Sequence, residues 1–172
     1  TFAVQPHGKI LASSGQDGEV VFWSVADGDK LRAIKVSKSW VEHLSWSPEG
    51  SSLAVACSRT ALALDPHGSE KWRSEDHPST VSAIAWSGEK ELATACYGSV
   101  NFYEIEKKTV SQKLEWQGSL VSMVLSPDGE IVACGSQDNS VHFWRRSTSE
   151  DAMMSGYSAK PSSLSSVSYT HL

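Results

Sequence analysis

The stretch HLSWSPEGSSLAVACS, residues 43–58, decides the fold because it recurs. It reads as an apolar strand, a Ser-Pro-Glu-Gly turn and a second apolar strand ending in small residues. AIAWSGEKELATACYG (83–98), SMVLSPDGEIVACGSQ (122–137) and FAVQPHGKILASSGQ (2–16) follow the same plan. Their first-strand anchors Val4, Trp46, Trp86 and Leu125 stand 42, 40 and 39 residues apart.

A third apolar element follows each pair: EVVFWSV (19–25), TALALD (60–65), SVNFYEI (99–105) and SVHFWRR (140–146). Its anchors Trp23, Leu64, Tyr103 and Trp144 step by 41, 39 and 41, so two independent markers share one period. A fourth strand is expected at KLRAIKV (30–36), EKWRS (70–74) and TVSQKLEW (109–116). Asp/Pro/Gly clusters such as ADGD (26–29) and DPHG (65–68) supply the turns that antiparallel hairpins need. Four short strands about every 40 residues, with no sustained helical period, predict an all-β propeller section of about four four-stranded blades. One such sheet cannot cover both its apolar faces, and radial stacking covers each with a neighbour. The large anchors are expected to fill the wedges between blades.

On these residues the chain resembles the WD-repeat β-propeller family. SPDG (126–129), SGQDGEVVFW (14–23) and GSQDNSVHFW (135–144) carry the likeness. It implies a rigid interaction platform. The repeats are degenerate: the terminal Trp-Asp pair reads Trp23-Ser24, Leu64-Asp65, Tyr103-Glu104 and Trp144-Arg145. His77 takes the position of the family's network histidine, where Ser37 and Trp116 stand in other repeats. Asp17 and Asp138 supply the turn acid only in the first and fourth, so each repeat is expected to hold at most part of the family's buried network. ALDPHGSEKW (63–72) resembles the docking repeat of quinoprotein-like propellers, and Trp72 is read as a structural plug.

The blades are placed at about 1–36, 41–74, 81–116 and 120–157, with a fifth starting at 160, so that 1–163 is the propeller section. A larger ring, seven blades for instance, is the expected parent, since a four-blade ring needs strongly wedged sheets. Residues 164–172 read as an incomplete strand whose ending, SVSYTHL, is suspected to be non-native.

Composition narrows the function. Of 172 residues 40% are hydrophobic and 20% charged, with net charge −5 and no Lys/Arg cluster beyond a pair, so no nucleic-acid partner is expected. No apolar run approaches the roughly 18 residues of a membrane span, and no membrane partner is expected. Cys57, Cys96 and Cys134 each follow an alanine in an apolar stretch, which points to buried thiols and a reducing, cytoplasmic setting. No nucleophile elbow, zinc-protease motif, P-loop or dinucleotide fingerprint occurs, so neither enzymatic activity, cofactor nor metal is expected. The DGD at 27–29 is a hairpin turn, Met153-Met154 is outer-strand packing, and His142 is expected between blades as a hydrogen-bonded structural histidine.

The expected function is a non-catalytic scaffold holding a protein or peptide on one rim. Blade-connecting loops share that rim with the second-to-third-strand turns, which nominates Trp40, Arg59, His77, Tyr97, Trp116, Gln137 and Asp138. His77 and Trp116 have the competing role of bracing their own loops. The alternatives are an enzymatic propeller, quinoprotein-like or a hydrolase using the central channel, and a structural domain that positions a fused catalytic one.

Overall fold

The structure, a computed structural model, describes residues 1–166. All its regular elements are strands, and among the described residues there is no helix. The first sheet is β1 (Phe2–Val4), β2 (Ile10–Ser14), β3 (Glu19–Ser24) and β4 (Lys30–Lys35), in chain order. The second is β5 (Val41–Trp46), β6 (Leu53–Cys57), β7 (Thr60–Leu64) and β8 (Glu70–Arg73). A third, six-stranded sheet runs β9 (Ala83–Ser87), β10 (Glu91–Glu104), β11 (Thr109–Leu125), β12 (Ile131–Ser136), β13 (Val141–Arg145) and β14 (Glu150–Met154).

That third sheet holds two blades joined without a break. In β10, Cys96 Sγ lies 3.7 Å from the Ser99 carbonyl, too close for extended backbone rising about 3.3 Å per residue. The chain therefore reverses at Tyr97–Gly98, where Gly98 takes a φ of +87°. The early part of β11 pairs with β10 as far as Glu115, and again at Ser119 opposite Tyr97 after a register shift, while residues from Leu120 onward pair with β12. The blade plan is thus kept, with two connections continuous where separate strands were expected.

Alternation within each strand builds three inter-blade cores. Between the first and second blades lie Val20, Phe22, Trp46, Val55, Leu62 and Leu64, with the Phe22 and Trp46 rings edge to face at 6.3 Å. Between the second and third, Ala54, Ala61, Ala63 and Trp72 meet Leu92 and Ile105. Between the third and fourth, Val100 and Phe102 meet Val132, Cys134 and Trp144. The third-strand anchor faces the blade before it, as Tyr103 packs on Trp72 at 4.9 Å. The residue preceding the anchor faces the blade after it. Trp72 is the plug expected of it.

Arginines clamp two of these joints. Arg32 sits over the Phe22 ring and donates to the Pro66 carbonyl at 2.9 Å. The Arg146 guanidinium stacks 3.7 Å from the Phe102 ring centroid and pairs with Glu91 at 2.9 Å.

No strand forms over 157–166, yet the expected fifth-blade start keeps the repeat's register. Ser122 Oγ donates to the Pro161 carbonyl at 2.6 Å, just as Ser82 Oγ donates to Leu120 at 2.6 Å. The suspected non-native ending, from 166, lies outside the described residues save for Ser166.

Candidate functional site

Each blade-connecting loop is tied to a second-to-third-strand turn, which brings the nominated residues to one rim. Val41 N–H donates to Gly15 O, Ser58 N–H to the Glu42 carboxylate, Val81 N–H to Ser58 O, and Tyr97 N–H to Ser79 Oγ. Gly18 makes the first of these turns possible: its φ is +70° and a Cβ would stand 2.3 Å from the Ser37 carbonyl.

On this rim Trp40 and Tyr97 are 55% and 56% exposed, large rings on anchored backbone. Arg59 is exposed, but its Nε donates to the His77 carbonyl at 2.6 Å, so it also braces the loop. Gln137 and Asp138 are exposed, and Asp138 Oδ1 accepts from Ser140 N at 3.1 Å to shape its turn. Trp116 is half-buried and stacks on His142 with centroids 3.9 Å apart.

His77 is not an exposed anchor. It is 3% exposed and sits between the second and third blades. Its Nδ1 lies 2.9 Å from the Arg59 carbonyl, which can only accept, so Nδ1 carries the proton. Nε2 then accepts from Thr94 Oγ1 at 2.9 Å, with the Tyr103 hydroxyl at 3.2 Å. Burial pushes the His77 pKa down, against the raising effect of the Arg59 carbonyl. Three members of the family's network are therefore present here, with tyrosine standing for tryptophan. In the first blade two members are joined, Trp23 Nε1 donating to Ser13 Oγ at 2.8 Å.

His142 lies between blades as expected, but it is not hydrogen-bonded. Neither ring nitrogen has a hydrogen-bond partner among the described residues. Asp151 Oδ2 stands 3.2 Å from Nε2, off the direction of a hydrogen bond, and the ring is held by Trp116 and Trp144 instead. Met153 and Met154 lie on β14, about half exposed rather than packed. The sequence reading passed over Thr94, Tyr103's hydroxyl and Asn101. Their signal was a polar residue in strand slots that hold Val55, Leu64 and Leu62 one repeat earlier.

Among the described residues, no three His, Cys, Asp or Glu side chains gather as a metal site. Burial raises all three thiols, Cys134 to about 12, so they are poor nucleophiles.

The family described as "WD domain, G-beta repeat" matches residues 1–24 and 109–145. The chain is 25% identical over 135 residues to the serine-threonine kinase receptor-associated protein of Gallus gallus, covering 77% of this chain and 38% of that protein. It is 28% identical over 144 residues to the target of rapamycin complex subunit wat1 of Schizosaccharomyces pombe, covering 80% and 46%. Among solved structures, the RRP9 WD40 repeats superpose with a TM-score of 0.82 at 21% identity, covering 92% of this chain and 51% of that one. The chain thus spans less than half the length of these curated relatives.

Proposed function

Because the chain belongs to the WD-repeat family, as a four-blade section of a β-propeller, we propose that it is a non-catalytic scaffold whose rim holds a protein partner through Trp40 and Tyr97. Two relatives are named for such company, one as associated with a kinase receptor and one as a subunit of a target of rapamycin complex. One observation carries the rim assignment: its two large exposed rings stand on loops whose backbone is already hydrogen-bonded. Such side chains lose little freedom on binding and offer wide contact area. The three buried, unpaired cysteines fit a reducing, cytoplasmic setting.

The test is affinity capture with the full-length protein and with its Trp40→Ala and Tyr97→Ala variants. At least one reproducible protein partner is expected to fall roughly ten-fold in recovery, the scale of one aromatic hot spot. Partners retained at parental level by both variants would remove the rim assignment.

A further inference from the structure

The joint between the second and third blades is packed inside but open at its outer edge. One joint earlier, the corresponding face carries Val55, Leu62 and Leu64, each no more than 1% exposed. The same slots of the third blade hold Thr94, Asn101 and Tyr103. Facing them, the second blade offers little more than Ala54, Ala61, Ala63 and the ring of Trp72. At the outer edge of this joint a cavity of about 560 Å³ lies between β8 with its following loop and the facing residues of β10 and β11. That size lies within the roughly 300–1,000 Å³ of small-ligand sites.

Its floor is one face of β10: Ser99, Asn101 and Tyr103 are alternate residues. Asn101 is 8% exposed, and its Nδ2 donates once, to Ser99 Oγ at 3.2 Å. That is the amide's one hydrogen bond among the described residues. The Tyr103 hydroxyl stands 3.2 Å from His77 Nε2, whose single lone pair the nearer Thr94 hydroxyl also engages, so a ligand in the cavity competes only with a shared hydrogen bond for the Tyr103 O–H.

Lys113 pairs across the strands with Asn101 and also lines the cavity. Its ion pair with Glu115 is solvent-exposed and so readily exchanged. The donors thus converge on the floor, while Glu75 and Asp76 stand on the opposite lip, placed to accept from backbone N–H groups.

We propose that this cavity is a second binding site, taking an acidic side chain of an extended partner segment. The carboxylate accepts from Asn101 Nδ2, the Tyr103 hydroxyl and Lys113 Nζ, while the segment's backbone N–H groups face Glu75 and Asp76. The site is independent of the rim. An asparagine in the slot where the preceding blade holds Leu62 gives up apolar burial, and a ligand that uses the freed donors accounts for it.

The experiment is fluorescence polarisation with the full-length protein and labelled nine-residue peptides. One pool carries a single central Glu among Gly, Ser and Lys, a second carries Gln there, and a third phosphoserine. Members of the Glu pool are expected to bind at least ten-fold tighter than their Gln twins, and less tightly as salt rises. Asn101→Leu and Lys113→Glu should each lose at least ten-fold. Asn101→Leu should keep or raise the thermal midpoint, which shows that lost binding is not lost folding. Equal binding of Glu and Gln twins, binding of the phosphoserine pool alone, no binding at all, or unchanged binding by Asn101→Leu would each overturn the proposal.

Discussion

A double-mutant cycle on His77 and Thr94 probes the joint most directly. Thr94 is fully buried, and its hydroxyl reaches His77 Nε2 at 2.9 Å. His77→Ala removes that hydrogen bond and the one from Nδ1 to the Arg59 carbonyl. The carbonyl stays satisfied, because His77 N–H also donates to it, at 2.8 Å. The Thr94 hydroxyl does not. Lost hydrogen bonds at about 1 kcal/mol each, with an orphaned buried hydroxyl at about 1–3, put His77→Ala near 3 kcal/mol.

Thr94→Val alone should cost about 1 kcal/mol, since Tyr103 remains to satisfy Nε2 and valine fills the same slot at Val55. In the His77→Ala background the sign should reverse, with valine stabilising by about 1 kcal/mol as the orphan disappears. The expected coupling is therefore about 2 kcal/mol, well beyond the roughly 0.5 of additive sites. Urea denaturation of the full-length protein, followed by tryptophan fluorescence with matched slopes, measures it. Coupling below about 0.5 kcal/mol would mean that the hydrogen bonds around Nε2 contribute nothing cooperative to the joint.

Two further outcomes follow from the same joints. Burial pushes His43, His77 and His142 below the ordinary histidine range, opposed at His142 by Asp151. Below about pH 6.5 the unfolded chain binds protons that the folded one refuses, so stability should be level above that pH and fall as the pH drops toward 5. A urea midpoint that is flat or rises over that range would refute the burial argument, and His77→Ala should lessen the slope. At the next joint, Arg146→Ala strands Glu91 and uncovers Phe102, and should cost about 2 kcal/mol in the same denaturation assay. Arg146→Lys should recover less than half, because lysine lacks the planar fork that reaches Ser87, Gln112 and Glu91 together.

The blades were legible because a repeat states each strand four times, and turn clusters such as SPDG mark where the strands end. Trp72 and the interior placement of His142 were readable for a related reason: a bulky ring on a blade face has only a neighbouring blade to pack on. For His77 the sequence left two roles open, rim anchor and loop brace, because its loop position says nothing of depth. Depth is set by Thr94 and Tyr103, which lie 17 and 26 residues further along the chain. The cavity was invisible for the opposite reason. SVNFYEI scans as an ordinary strand, and the cavity beside Asn101 is completed by residues of a different blade and its following loop, from Trp72 to Pro78. The unpartnered nitrogens of His142 follow from the direction of Asp151, which no spacing encodes.

One slot, the middle of the third strand on the face toward the preceding blade, shows how the repeats diverged. It holds Val21, Leu62, Asn101 and His142 in turn. Leu62 fills its wedge with apolar carbon, and the first joint is sealed. His142 fills its own with a ring clasped by two tryptophans, and Arg146 clamps the same joint from further along. Asn101 brings a polar amide instead, and beside it the outer edge of the second joint opens into the cavity lined by Trp72, His77 and Tyr103. A joint with an open outer edge is the one whose lining meets a ligand without first unpacking a core.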